Sequence, residues 1–379
     1  MVNDYITLKL IWWGLICVLY IGFALLDGFD MGAATLIPFL GKTDTEKRVI
    51  INTVGPVWEG NQTWLVTAIG ATFAAWPLVY SAAFTVMYVP LILVLFTLFL
   101  RPVGFDYRSK LSNPNWRKFW DLGLSVSGII PPFLLGVMVG SLFTGLPFEL
   151  DKSMRVVFTG NPLSCFNAFS LLTGVISVLM TTVHGASYIQ LKTEGVLRER
   201  ARLISLRLIP LVALLFIVAG WVVFHKMGAH IYSLPNLQGS FTPQAKSVTW
   251  LIGGWQDNFK EHPLVYIVPV IGLLGLLLAF VFSFKGKTRL SILGSGIAVI
   301  GIIGTAAAAL FPFIITSSTN PACSLTLWDA VSSQKTLNLL LLVSIVFVPI
   351  ILVYTSWVYR VLRGPVTEAH IESNQHTVY

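Results

Sequence analysis

Charge is what this sequence has least of. Only 11% of its 379 residues are Asp, Glu, Lys or Arg, where soluble domains carry roughly 25%. Hydrophobic residues make up 55%, and the mean hydropathy is +0.78. That balance excludes a soluble globular domain and points to a polytopic membrane protein. Cysteine is scarce too. Cys17, Cys165 and Cys323 are scattered without CxxC or other metal-ligand spacing and read as small apolar filler. No small-residue cleavage pattern follows the first apolar run, so that run is expected to be retained. Neither a Walker A sequence, a dinucleotide fingerprint nor a nucleophile elbow occurs. The net charge of +8 would suit nucleic acid, but the positive residues sit in short connections between apolar runs. Membrane topology explains them, and no nucleic-acid partner is expected.

What is present is a series of apolar runs, each near the ~20 residues that cross a bilayer as a helix. Nine are expected, near 10–39, 58–76, 78–100, 119–144, 163–190, 205–225, 263–284, 290–316 and 335–361. Trp76-Pro77 marks a tight hairpin between the second and third. Eighteen of the 25 Lys and Arg fall after spans 1, 3, 5 and 7 or in the C-terminal tail. The positive-inside rule makes that set cytoplasmic, with the N-terminus outside and the C-terminus inside. The chain reads as one membrane domain, 1–379. Its longest external connection is 227–261, where Trp250 and Trp255 suit an interfacial belt and a surface-lying helix is plausible.

The first span contains GFALLDGFDMG, residues 22–32, with Asp27 and Asp30 three apart on one helix face. Carboxylates at membrane depth are costly and usually face protein or a water-filled cavity. Gly28 and Gly32 lie roughly opposite and would let another helix approach closely. Across the next turn, GPVWEGNQTW (55–64) opens the second span with Glu59, Asn61 and Gln62. Glu59 is expected to approach the Asp pair from the cytoplasmic side, giving three carboxylates suited to exchanging protons near neutrality. The competing reading is structural: pairing with a loop Arg for the Asp pair, a first-turn acid favoured by the helix dipole for Glu59. Asp329 is expected to cap a helix in an external loop, and Asp106 and Asp121 to form ordinary ion pairs. Of six histidines only His184 reaches membrane depth. A low-spin haem would need a second axial ligand, so packing is the expected role for His184.

Several stretches together resemble one family. IWWGLICVLYIGFALLDGFDMG (11–32), EKRVIINTVGPVWEGNQTWL (46–65), GATFAAWPLVYSAAF (70–84), LFLRPVGFDYRSK (98–110), ALFPFIITSSTNPACSLTLWDAVSSQKTL (309–337) and the terminal NQHTVY (374–379) are similar to subunit II of cytochrome bd-type quinol oxidases from end to end. The resemblance implies an all-α membrane protein with two four-helix bundles and one peripheral helix. It implies a bacterial inner-membrane complex that oxidises quinol outside and reduces O2 to water with cytoplasmic protons, building a proton-motive force. Haem b and haem d would be ligated by subunit I, the expected partner, with small single-span accessory subunits in some complexes. Some members of the family hold a structural quinone in this subunit. By resemblance, Asp27, Asp30 and Glu59 match acids of a proton route towards subunit I, though relatives also use Asp at the Glu59 position. Trp64 matches a Trp at the subunit interface near the oxygen path, and Tyr379 a terminal Tyr at the mouth of a cytoplasmic proton channel.

Two readings from other classes stand beside this one. A proton- or cation-coupled secondary transporter would also bury acids at midplane, but would show a symmetrical pair of broken helices. A self-contained cytochrome would need paired axial ligands at depth.

Overall fold

In the computed structural model, residues 4–373 are described, except for the side chain of His370. The chain is almost wholly helical. Helix α1 (Tyr5–Leu40) starts at Asp4, whose carboxylate accepts from the Thr7 amide, and runs for 36 residues. That is ~54 Å at 1.5 Å per residue, well beyond the ~30 Å hydrocarbon thickness. Helix α2 (Asp44–Val54) is set by a capping box between Thr43 and Glu46. Helix α3 (Trp58–Ala75) ends at Trp76, where Pro77 opens α4 (Pro77–Val86). Breaks at Met87 and Phe99 divide the third expected span into α4, α5 (Tyr88–Leu98) and α6 (Leu100–Tyr107). Helices α7 (Pro114–Thr144), α8 (Ala168–Lys192) and α9 (Gly195–His225) follow. After a short α10 (Asp257–Glu261) come α11 (Ile267–Phe284), α12 (Thr288–Leu310), α13 (Gln334–Val361) and α14 (Glu368–Ser373).

Among the described residues eight helical runs, with Tyr88–Lys110 (α5, α6 and the turn after them) counted as one, are long and apolar enough to cross a membrane. Helix α3, the remaining expected span, has 18 residues but spends its first turn on Glu59, Asn61 and Gln62. Helices α1, α3, α4–α5 and α7 pack together, as do α8, α9, α11 and α12, and the two groups meet along α1, α7 and α8. Helix α13 lies outside both, against α1 and α3, with Leu337 its only buried residue. This is the two-bundle, one-peripheral-helix arrangement. The close approach of α1 to α8 depends on Gly32: a Cβ there would fall 2.0 Å from the Thr181 carbonyl oxygen. Gly28, expected to serve the same purpose, has ordinary clearance of 3.7 Å.

One end of the bundle carries three hairpins: β1 (Phe148–Leu150) with β2 (Val156–Phe158), β3 (Met227–Ser233) with β4 (Ser247–Ile252), and β5 (Phe313–Ile315) with β6 (Leu325–Thr326). Three expectations are corrected here. The eighth span stops at Leu310 because Pro312 cannot continue the helix, and 313–315 pairs as a strand. The 227–261 connection is built on a β-hairpin, and its single α-helix has five residues, with 3-10 turns at Pro243–Ala245 and Gly254–Gln256. Trp255 is no belt residue: it is buried against Phe143, Trp250 and Phe313, and its indole N–H donates to the Phe143 carbonyl.

The same end is pinned by buried lysines. Lys9 donates to the Leu237, Gly239 and Trp328 carbonyls. Lys246 meets Asp329 at 2.9 Å, and Asp329 also accepts from the Thr326 amide and hydroxyl. Asp329 therefore holds a loop turn and a buried cation, where a helix cap was expected. The opposite end gathers the basic connections. Arg108 pairs with Asp121 at 2.5 Å and Asp44 at 2.9 Å, Lys47 with Asp121 at 2.9 Å, Arg117 with Asp44 at 2.7 Å and Arg200 with Glu46 at 2.8 Å. Asp121 thus forms the expected ion pairs. Asp106 is exposed and takes part in no ion pair among the described residues.

Candidate functional site

Helix α1 carries Asp27 and Asp30 on its buried stretch, where both are almost completely shielded. Asp27 Oδ1 accepts from Arg101 Nη1 at 2.5 Å, and the Arg101 side chain is equally buried. Arg101 stands in the first turn of α6, just past the apolar run of α5, and points back into the bundle. Asp30 has no cation bonded to it among the described residues. Its Oδ2 accepts from Asn61 Nδ2 at 2.8 Å, and Asn61 Oδ1 accepts from the Tyr359 hydroxyl at 2.8 Å. Tyr359 belongs to the peripheral helix α13, so three helices meet at this amide.

Four buried atoms of this cluster have no hydrogen-bond partner among the described residues: Asp27 Oδ2, Asp30 Oδ1, and Arg101 Nε and Nη2. Buried polar groups are rarely left so. Their concentration within one cluster marks a polar pocket suited to ordered water. The pocket is walled by aromatics. Phe29 stacks on Tyr188 with centroids 4.0 Å apart, meets Tyr359 edge-on at 6.4 Å, and lies 6.0 Å from His184. The Tyr188 hydroxyl donates to the Thr53 carbonyl at the foot of α2.

The structure unites only part of the expected constellation. Asp27 and Asp30 sit together as read from their spacing. Glu59 does not join them: it is exposed on the first turn of α3 and makes no hydrogen bond or ion pair among the described residues. Asn61 reaches Asp30 in its place, because two residues on a helix turn the side chain by about 200°. Trp64 lies half-buried against α1, where the missing side chain of Gly22 makes room for its indole: a Cβ would be 2.5 Å from the ring. Tyr379 lies outside the described residues. His184 is buried in α8, with Nδ1 2.8 Å from the Ser295 hydroxyl and Nε2 donating to the Leu25 carbonyl at 2.9 Å. Both ring nitrogens thus serve helix packing.

Arg101 and Tyr359 were not legible as site residues. Arg101 sits in the basic stretch RPVGFDYRSK, and nothing in composition separates it from its neighbours. The only available signal was its position directly after an uninterrupted apolar run.

Comparison with known proteins agrees with the family resemblance. Residues 8–362 match the cytochrome bd terminal oxidase subunit II family. The chain is 45% identical over 378 residues to cytochrome bd-I ubiquinol oxidase subunit 2 of Escherichia coli K12, covering 99% of this chain and 100% of that one. A probable cytochrome oxidase subunit 2 of Haemophilus influenzae is 43% identical over 99% of this chain and 100% of its own. Cytochrome bd ubiquinol oxidase subunit 2 of Bacillus subtilis is 30% identical, covering 94% and 96%. In fold, the chain is similar to the bd oxidase structure from Geobacillus thermodenitrificans, with a TM-score of 0.69 at 14% identity, covering 94% of this chain and 98% of that one. With matching sequence from end to end and a shared helical architecture, this multi-pass membrane protein belongs to the cytochrome bd terminal oxidase subunit II family.

Proposed function

We propose that the chain works beside a haem-bearing subunit I in the bacterial inner membrane, as the subunit of a quinol:oxygen oxidoreductase that lends a proton route. The observation that carries this reading is the buried Asp27–Arg101–Asp30–Asn61 cluster, which lies near the basic end of the bundle and keeps four polar atoms free to bind water. Protons hop between neighbouring oxygens and need no wide pore, so such a cluster conducts without opening the bilayer. By the positive-inside rule the basic end is cytoplasmic and the hairpin end, including 227–261, is external. Protons then enter from the side that supplies them for oxygen reduction. Glu59, exposed at the start of α3, is placed by this reading at the approach to the cluster, and Trp64 at the face towards subunit I; Tyr379, matched by resemblance to the mouth of a proton channel, lies outside the described residues.

Haem b and haem d belong in this reading to subunit I, whose redox chemistry the present chain supports by scaffolding and proton delivery. For a structural quinone held by this chain, the cavity of about 720 Å³ between α7, α8, α9 and β4 offers a suitable wall. Phe143, Phe169, Leu172, Trp250 and Trp255 supply apolar and aromatic surface, with Asn167 and Lys226 as donors at the rim.

The test is gentle detergent purification through a tag on this chain, followed by a reduced-minus-oxidised spectrum and extraction of bound quinone. Co-purification of a second large subunit with b- and d-haem bands is expected. A stable, colourless single chain would overturn the reading.

A further inference from the structure

Asp30 has two oxygens in different surroundings. Oδ2 accepts from Asn61, while Oδ1 is buried without a partner among the described residues. What assigns these roles is the end of the Asn61 amide that faces the acid. An amide has one donating and one accepting end, whereas a carboxylate only accepts. The Asn61 NH2 faces two acceptors, Asp30 Oδ2 at 2.8 Å and the Leu26 carbonyl at 3.4 Å, and the Tyr359 hydroxyl donates to Asn61 Oδ1 at 2.8 Å from the α13 side. The Tyr359 ring is itself held against Phe29. A side chain on the least buried long helix thus reaches one of the most buried acids through a single intermediary.

We propose that Tyr359 is a positioning residue for the proton-path acid Asp30. Its hydroxyl locks the Asn61 amide, so that Oδ2 is occupied and Oδ1 is the oxygen offered for exchange. An amide does not pass protons as a carboxyl or water does, so Tyr359 acts through orientation and is no member of the relay. Without the hydroxyl the NH2 still faces Asp30 and the Leu26 carbonyl, but the amide loses the bond that fixes it from the α13 side, and its hold on Oδ2 slackens. The inference rests on the reading of Asp30 as a proton-path acid.

The experiment uses the intact complex, co-produced with its haem-bearing subunit, carrying Tyr359→Phe. Infrared difference spectra in H2O and D2O read the Asp30 carboxyl band, assigned by its loss in Asp30→Asn. Tyr359→Phe is expected to shift that band. It is also expected to lower quinol-driven oxygen consumption about fivefold, the rate equivalent of one hydrogen bond, with haem content and yield unchanged. An unshifted band would overturn the proposal. So would loss of assembly, because the hydroxyl would then be an anchor for α13. A second variant separates the route: in Asn61→Leu, adding Tyr359→Phe should shift the band no further, and a further shift would show that Tyr359 does not act through Asn61. Wild-type turnover in Asp30→Asn would sink the proton-path reading itself, while the band would still decide whether Tyr359 positions Asp30.

Discussion

Lys246 meets Asp329 at 2.9 Å with both side chains fully buried, and Arg101 meets Asp27 at 2.5 Å in equal burial. The surroundings of the two pairs differ. At the hairpin end, Lys246 spends its three donors on Asp329, the Pro243 carbonyl at 2.8 Å and the Ala322 carbonyl at 3.2 Å. Asp329 is likewise engaged through both oxygens by Thr326 and Lys246. Near the basic end, the Arg101–Asp27 pair leaves two guanidinium nitrogens and one carboxylate oxygen without a partner among the described residues. The first pair is saturated and fastens loops. The second is unsaturated and has capacity left for exchangeable groups. Equal burial therefore does not mean equal hydrogen-bond saturation.

The largest effect expected from breaking this contrast is Lys246→Met. It strands Asp329 in the closed cap and should cost about 3–5 kcal/mol, seen as loss of folded complex in detergent thermal-melt assays. Near-normal melting would show that the saturated pair does not hold the cap. Next comes Asp30→Asn, expected to slow oxygen consumption about tenfold, a barrier change of ~1.4 kcal/mol, while the haem spectrum and melting point stay put. Gly32→Ala should cost ~1–3 kcal/mol by forcing α1 away from α8, measured as a lower melting temperature; equal melting would remove the close approach from the argument. Smallest is Glu59→Gln. At the exposed approach to the cluster, where water can stand in for the carboxyl, it should lower turnover less than about twofold, and a loss as deep as that of Asp30→Asn would make Glu59 an obligatory step of the path.

Acid should loosen the basic end through Glu46. Burial raises the Glu46 pKa, but the Lys42 and Thr43 amides and Arg200 outweigh it and hold the carboxyl below its usual value. A lowered folded-state pKa adds stability above the unfolded carboxylate value, and this is lost as pH falls through the folded value. Glu46→Gln should therefore flatten the acid limb of stability, measured by melting from pH 6 down to about pH 3. An unchanged limb would assign that limb to other acids.

Sequence alone settled the membrane class, the number and order of the apolar spans and the division of charge between two ends, though α9 starts ten residues before the expected sixth span and α12 ends six short of the eighth. Each of these follows from local patterning: apolar run length, Pro and Gly punctuation, and Lys/Arg counts. It also singled out Asp27 and Asp30, because an acid inside an apolar run is conspicuous wherever the chain folds. Only the tertiary structure decided which groups meet those acids. Arg101 is 74 residues from Asp27 and Tyr359 is 298 from Asn61, separations over which no periodicity speaks. It likewise set Glu59 outside and Asn61 inside, a choice made by the rotation of α3 when it packs against α1. Local sequence fixes what a helix can bury; packing between helices decides which side chain finds which partner.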